Sequence, residues 1–257
     1  MRVDVLRGAQ MIPSTRAEIA RFRHRVFVEK LGWQVPHSAT LPLRKDGEES
    51  DEYDHDDTVY VTLRGNEDAI VGCARLLPAR NRYLLGDHFR HLVDDLQAAV
   101  DVGDAVAARD DEANRFDTPV WELSRFACDE QSKTERKTTA SDRTQGAREL
   151  LRAAVFTARA LGAQRLIGVT FVSLARLFVR LGVPTHKLGA AYRIDGRWVA
   201  AYRIDIDAMT LRALSLGGNV RAAAEHLAPW GASCTAADVI RPSRASSGLV
   251  SGMSSGR

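Results

Sequence analysis

The chain has 257 residues, 45% hydrophobic and 27% charged, the balance of a folded domain with a sizeable core rather than of a disordered or fibrous chain. Its formal net charge of +3 is too small to argue for nucleic-acid binding, so any basic footprint has to be local. No apolar run approaches the ~20 residues of a membrane span, and the N-terminal residues lack the apolar stretch and cleavage site of a secretory signal. A cytoplasmic location, with neither nucleic acid nor membrane as partner, is the expectation. Cys73, Cys128 and Cys234 are too scattered for a disulfide framework or a zinc site, and Cys73 and Cys128 read as small apolar strand residues.

Thr15-Arg16-Ala17-Glu18 has the pattern of a capping box opening the first helix. Ile19, Phe22, Val26 and Leu31 then recur close to helical spacing and should face the core, while Arg23 and Phe27, four apart, share a face. Gly32 is predicted to stop the helix and release Trp33 into a loop. Residues 34–57 show little periodicity and a dense run of carboxylates; long loops in compact domains are functional or disordered. Alternation predicts strands over residues 58–64 and 69–77, joined by the turn Gly65-Asn66-Glu67-Asp68. In the second, Arg75 shares a face with Val71 and Cys73, and a charge on a partly apolar face needs a partner. Residues 87–96 read as a small helix and 101–117 as a surface excursion.

Residues 119–128 form the next predicted strand, containing Trp121-Glu122-Leu123-Ser124-Arg125-Phe126. In a regular strand Glu122 and Ser124 point one way and Leu123 and Arg125 the other. Glu122 and Arg125 therefore serve one site only if a bulge intervenes, and one is expected near residues 123–125. Glu122, between Trp121 and Leu123, fits no surface reading and is the strongest single site candidate. After a polar stretch, Asp142 with Gln145 should cap a helix whose stripe is Ala147, Leu150, Leu151, Ala154, Val155 and Ala158, stopped by Gly162. Residues 165–171 suit a strand buried on both faces. Ser173 should cap a further helix with Leu174, Leu177, Phe178 and Leu181 inward and Arg176 and Arg180 outward.

Ala-Ala-Tyr-Arg-Ile-Asp occurs at 190–195 and again at 200–205, around Asp195-Gly196, and reads as two paired strands of a hairpin. A modest helix over 220–227 and a disordered Ser/Gly-rich stretch over 241–257 complete the expectations. The element order implies an α+β fold, one mixed sheet with helices on both faces. The main domain is expected over residues 1–207, an extension over 208–240 and a tail over 241–257.

Four blocks carry a resemblance: Phe-Arg-His-Arg-Val-Phe-Val-Glu-Lys-Leu-Gly-Trp at 22–33, Glu-Ser-Asp-Glu-Tyr-Asp at 49–54, Gly-Cys-Ala-Arg-Leu-Leu-Pro at 72–78 and Glu-Leu-Ser-Arg-Phe at 122–126. Together, and in this order, they resemble the acyl-homoserine-lactone synthase (LuxI-type autoinducer synthase) family. The resemblance implies a GNAT-like three-layer αβα fold whose mixed sheet is splayed at its centre. It implies that S-adenosylmethionine, a substrate rather than a cofactor, is acylated on its amine by acyl carrier protein or acyl-CoA. The carboxyl group then closes a lactone and 5′-methylthioadenosine leaves; neither cofactor nor metal is implied. The family's site positions fall on Arg23, Phe27, Trp33, Asp51, Asp54, Arg75, Glu122 and Arg125.

An α-ammonium group cannot attack a thioester until a base takes a proton, and Glu122 suits that role, directly or through a water, with Arg125 beside it. Arg23 would grip the substrate carboxylate, and Phe27 and Trp33 would pack against the adenosine or the sulfonium. Asp51 and Asp54 would pair with Arg23, Arg75 or Arg125, and strand amides would bind the oxyanion. Ser124, Phe126 and Thr170 are expected along the acyl and pantetheine path; Thr170 stands where members using 3-oxo chains often have threonine. Arg176 and Arg180 are surface charges, or they dock the acidic carrier protein. Two longer segments, 41–48 and 98–117, depart from the shorter family pattern. A general GNAT N-acyltransferase would want a Gly-rich pyrophosphate loop, to which Arg143-Thr144-Gln145-Gly146-Ala147 is an incomplete match. A non-catalytic module of the same fold would not need Glu122.

Overall fold

The computed structural model describes residues 1–33, 47–65, 67–93, 120–129 and 140–215, without the side chains of 140–143. The two lengthened segments (all but a few residues), the polar stretch after 130, the 220–227 helix and the 241–257 tail lie outside the described residues. An eight-stranded mixed sheet organises the rest. Its strands are β1 (Arg2–Arg7), β2 (Val59–Arg64), β3 (Ile70–Pro78), β4 (Val120–Cys128), β5 (Arg165–Phe171), β6 (His186–Lys187), β7 (Tyr192–Ile194) and β8 (Arg197–Asp205). They run β1-β2-β3-β4-β5-β8-β6, with β7 also on β8. Among the described residues only β4 and β5 pair in parallel. Strand β1 lies outside the sequence expectations, although Arg2-Val3-Asp4-Val5 alternates as a strand does before Leu6-Arg7 breaks the pattern.

Helix α1 (Pro13–Arg23) opens on Pro13 with Ile12 at the N-cap and no side-chain cap. Thr15 therefore lies inside the first turn, not at the cap. Proline is suited to the first helical position by its fixed φ and missing N–H. The helix widens into a π-helical turn at His24–Lys30, burying Val26 and Phe27 alongside Phe22 and Arg23. Gly32 ends it at φ +69°, where a side chain would be strained, and Trp33 N–H donates to the Phe27 carbonyl at 2.9 Å. The Trp33 ring is thereby brought to 5.0 Å from that of Phe27.

The small helix expected at 87–96 is instead α2 (Leu84–His88) followed by a 3₁₀ turn at Arg90–Leu92. Helix α3 (Ala140–Ala160) begins ahead of Asp142, so that residue is not its cap. Its stripe Ala147, Leu150, Leu151, Ala154, Val155 and Ala158 is buried as the spacing predicts. Helix α4 (Val172–Arg180) starts directly after β5, with Phe171 at the N-cap and Ser173 inside the first turn.

The stripe of α3 and Phe178 of α4 cover Val59, Val61, Leu76 and Leu123 on one sheet face. On the other, Ile19, Phe22, Val26 and Phe27 pack on Tyr60, Cys73 and Ala127, and Leu85 of α2 packs on Val120, Ile167 and Val199. This is a three-layer αβα arrangement around a mixed sheet. Helix α5 (Ala208–Ser215), beyond the boundary expected at 207, buries Leu214 in the α3 cluster.

The expected bulge is present. Cys73 pairs with Ala127 and Arg75 with Ser124, so β4 spends one residue more than β3 over that span, and Arg125 has φ +50°. Pairing of β4 with β5 runs only from Val120↔Arg165 to Glu122↔Ile167, after which the strands part. At the parting a Cβ on Gly168 would run into the Leu123 carbonyl oxygen. The expectation that β5 is buried on both faces holds only for Leu166 and Ile167; Gly168 to Phe171 are half-buried because they border the opening.

The hairpin turns at Asp195-Gly196 with both φ positive, but its arms are Tyr192–Ile194 and 197–199. The two copies of the repeat do not face each other. The second, 200–205, pairs with β5 (Ala200↔Thr170, Asp205↔Arg165), because tight two-residue turns set the register.

Candidate active site

A cavity of about 660 Å³ occupies the place where β4 and β5 separate. Leu166 and Ile167, which belong to clusters on opposite sheet faces, both line it, so it passes through the sheet. On the α1/α2 side its wall includes Phe27, Trp33, Asp51, Glu52, Tyr53 and His88; on the α3/α4 side it includes Leu174, Phe178 and Ile204. One end is aromatic and charged, the other apolar. Ser124, Arg125, Phe126 and Thr170 also line it. Arg176 and Arg180 are exposed on the outer face of α4.

Behind the charged end lies a buried ion lattice. Arg23 donates through Nε to Glu49 and through Nη1 to Asp54 at 2.7 Å. Arg75 binds both Asp51 oxygens, reaches Asp54 at 2.9 Å and donates to Ser124 Oγ at 3.0 Å. Arg125 bridges Glu49 at 3.0 Å and Asp51 at 2.7 Å, which the bulge permits by turning it to the face of Arg75. Tyr60 donates its hydroxyl to Asp54. Burial alone would raise the Glu49 carboxyl, but Arg23 and Arg125 overcome it and hold it down at about 2. Asp54 is likewise depressed against burial by Arg23 and Arg75, and both guanidiniums are driven up by their carboxylates. Such a lattice keeps its charges only as a set, because any member left alone is a buried unpaired ion.

The lattice corrects one expectation. Arg23 is 1% exposed, committed to the loop carboxylates and absent from the cavity wall, so it is not placed to grip a substrate carboxylate. Arg75 and Asp54 are also behind the wall, while Asp51 and Arg125 reach it. Phe27 and Trp33 line the cavity, with Arg125 Cζ 5.7 Å from the first ring and 5.9 Å from the second.

Glu122 is fully buried. Its Oε1 accepts from Leu85 N–H at 2.7 Å and its Oε2 from Leu84 N–H at 3.1 Å, tying β4 to the start of α2. Burial pushes its carboxyl up to about 7, against the pull of those amides and of Arg75 and Arg125. It is not itself on the cavity wall, although its neighbours Leu123 and Ser124 and its partner Leu84 are.

Sequence reasoning missed Glu49, His88 and Arg197. Glu49 was readable from its place two residues before Asp51 in the acidic block. His88 Nε2 lies 3.3 Å from Glu52 Oε1 on the cavity wall, and Arg197 comes from the hairpin; no spacing announces either.

A tunnel through a parted sheet, apolar on one side and charged on the other, suits transfer of an acyl group to a polar acceptor, and the fold and site are those of an acyltransferase. Residues 9–214 match the family model described as autoinducer synthase, and the chain belongs to that family. It is 40% identical over 225 residues to the acyl-homoserine-lactone synthase of Ralstonia nicotianae, covering 85% of this chain and 95% of that one. TofI, solved in a ternary complex with an inhibitor and MTA, is 42% identical with a TM-score of 0.65, covering 84% and 97% of the two chains. The synthase LasI shares the fold at 24% identity and a TM-score of 0.63, covering 85% and 96%.

Proposed function

We propose that this chain makes an acyl-homoserine lactone, a quorum-sensing signal, by transferring a fatty acyl group from acyl carrier protein to the amine of S-adenosylmethionine. The observation that carries this reading is one continuous cavity that joins an aromatic, carboxylate-bearing end to an apolar end through the gap between β4 and β5. The purine and sulfonium pack against Phe27 and Trp33, and the acyl chain runs past Phe126 toward Leu174 and Phe178. Thr170, on the wall between the ends, borders the first carbons of the chain.

Glu122 takes the proton from the α-ammonium. It lines no part of the cavity, so the transfer runs through a water, and its raised pKa suits a base working near neutrality. Arg125 holds Asp51 against the wall, and the β4 amides left without a β5 partner beyond Glu122 receive the oxyanion. The new amide's carboxyl oxygen then attacks the carbon bonded to sulfur, closing the lactone and expelling the neutral thioether. The MTA bound to TofI fits that product.

S-adenosylmethionine is consumed, so no cofactor enters the scheme, and both substrates are at hand in the cytoplasm. Among the described residues no helix is long and apolar enough to cross a membrane. The test is mass spectrometry of the purified protein's products with S-adenosylmethionine and either acyl carrier protein or acyl-CoA thioesters. A lactone formed faster from the carrier protein supports the reading; no lactone from either donor ends it.

A further inference from the structure

With Arg23 committed to Glu49 and Asp54, the substrate carboxylate needs another partner. Among the described residues two arginines line the cavity, Arg125 and Arg197. Arg125 is neutralised by Glu49 and Asp51. Arg197 pairs with no carboxylate among the described residues; its guanidinium sits 5.2 Å from the Phe171 ring centroid. That ring is 5.8 Å from Trp33, which is 5.0 Å from Phe27. An aromatic strip thus runs from the π-helical turn to the hairpin, with a compensated guanidinium at one end and an uncompensated one at the other.

We infer that Arg197 binds the carboxylate of the amino-acid acceptor and so selects an acceptor that carries one. The inference rests on the reading of the site given above. The cavity's α1/α2 side then has the charge pattern of a zwitterionic sulfonium. Glu52, with the aromatic faces, meets the cationic groups, while Asp51 stays with Arg75 and Arg125, and Arg197 meets the anion. Stacking on Phe171 restrains the guanidinium, so less side-chain entropy is lost on binding. Phe171 and Ile194, which flank Arg197 on the wall, pack with Leu85 and Val199 on the α1/α2 face. Leu174 and Phe178, suited to the donor's hydrocarbon chain, lie on the opposite face. This placement favours the acceptor's carboxylate over the donor's phosphate. The hairpin that carries Arg197 also owes its position to the tight Asp195-Gly196 turn, which gives that turn a role in substrate choice.

The experiment is titration calorimetry of S-adenosylmethionine and of its decarboxylated analogue into the wild-type protein, Arg197→Gln and Arg197→Lys, with steady-state KM values for both substrates. Arg197→Gln should weaken S-adenosylmethionine by about tenfold or more, the effect of removing a charge-assisted hydrogen bond. Arg197→Lys should recover part of that loss, and the decarboxylated analogue should bind wild type and Arg197→Gln equally. Equal binding of S-adenosylmethionine by wild type and Arg197→Gln overturns the inference. So does equal weakening of both ligands, or a raised KM confined to the acyl thioester, which would make Arg197 a phosphate anchor. A wild-type protein that binds no S-adenosylmethionine overturns the proposed function as well, which separates the two failures.

Discussion

Two buried glutamates in this site are tuned in opposite directions. Glu122 is raised to about 7 because burial penalises its charge, so over the range from its ordinary value up to about 7 the unfolded chain gives up the proton first. Its contribution to stability is therefore present at low pH and lost as pH rises through about 7. Turnover should rise over the same interval as the carboxylate forms. Glu122→Gln should cut lactone formation roughly 10²-fold or more and flatten that limb of the pH–rate profile. It should also remove the matching slope from stability followed by urea unfolding against pH. Glu49 runs the other way: held at about 2 by Arg23 and Arg125, it contributes stability above its ordinary value that is lost as pH falls toward 2. Glu49→Gln leaves those arginines short of a countercharge and should cost about 3–5 kcal/mol in urea unfolding. The family resemblance implied that Asp51 and Asp54 pair with Arg23, Arg75 or Arg125, and the ion lattice holds all five. Which of them would face the cavity was not legible, since that depends on where β4 and β5 part.

The working element is β4 together with the strand that leaves it. The bulge at Arg125 could be argued from parity alone: Glu122 and Arg125 lie an odd number of residues apart, and only an inserted residue turns both to one face. The parting of the strands left a fainter trace, the glycine at position 168 in an otherwise apolar run. Gly168→Ala places a methyl group against the Leu123 carbonyl and should destabilise the fold by about 1–3 kcal/mol. Because the displaced wall borders the acyl path, the KM for the acyl donor should rise more than that for S-adenosylmethionine, as initial-rate kinetics would show. The helix starts were read less well. Pro13 opens α1 and Phe171 hands β5 directly to α4, so the polar residues that resemble caps, Thr15 and Ser173, lie inside first turns. A cap signature says that a helix begins nearby, while the packing of the preceding chain decides the residue.

At the scale of the whole molecule, the formal net charge of +3 conceals local basic surface, including Arg176 and Arg180 on the exposed face of α4 beside the apolar end of the cavity. If these arginines steer the acidic carrier protein, Arg176→Glu with Arg180→Glu should raise the KM for acyl carrier protein about tenfold and leave acyl-CoA unaffected. On the same reading, added salt should raise the KM for acyl carrier protein more than that for acyl-CoA, because exposed charges are screened beyond ~10 Å at 0.1 M. The sequence by itself determined the fold class, the family and the chemistry, because periodicity selects elements and four short blocks hold the side chains the reaction needs. Only the tertiary structure decided that Arg23 braces a loop, that Glu122 sits behind the wall with α2 amides on both oxygens, and that Arg197 reaches the cavity. Those outcomes depend on strand register, on the point where two strands stop pairing and on which residues meet across long stretches of chain, and no local pattern encodes them.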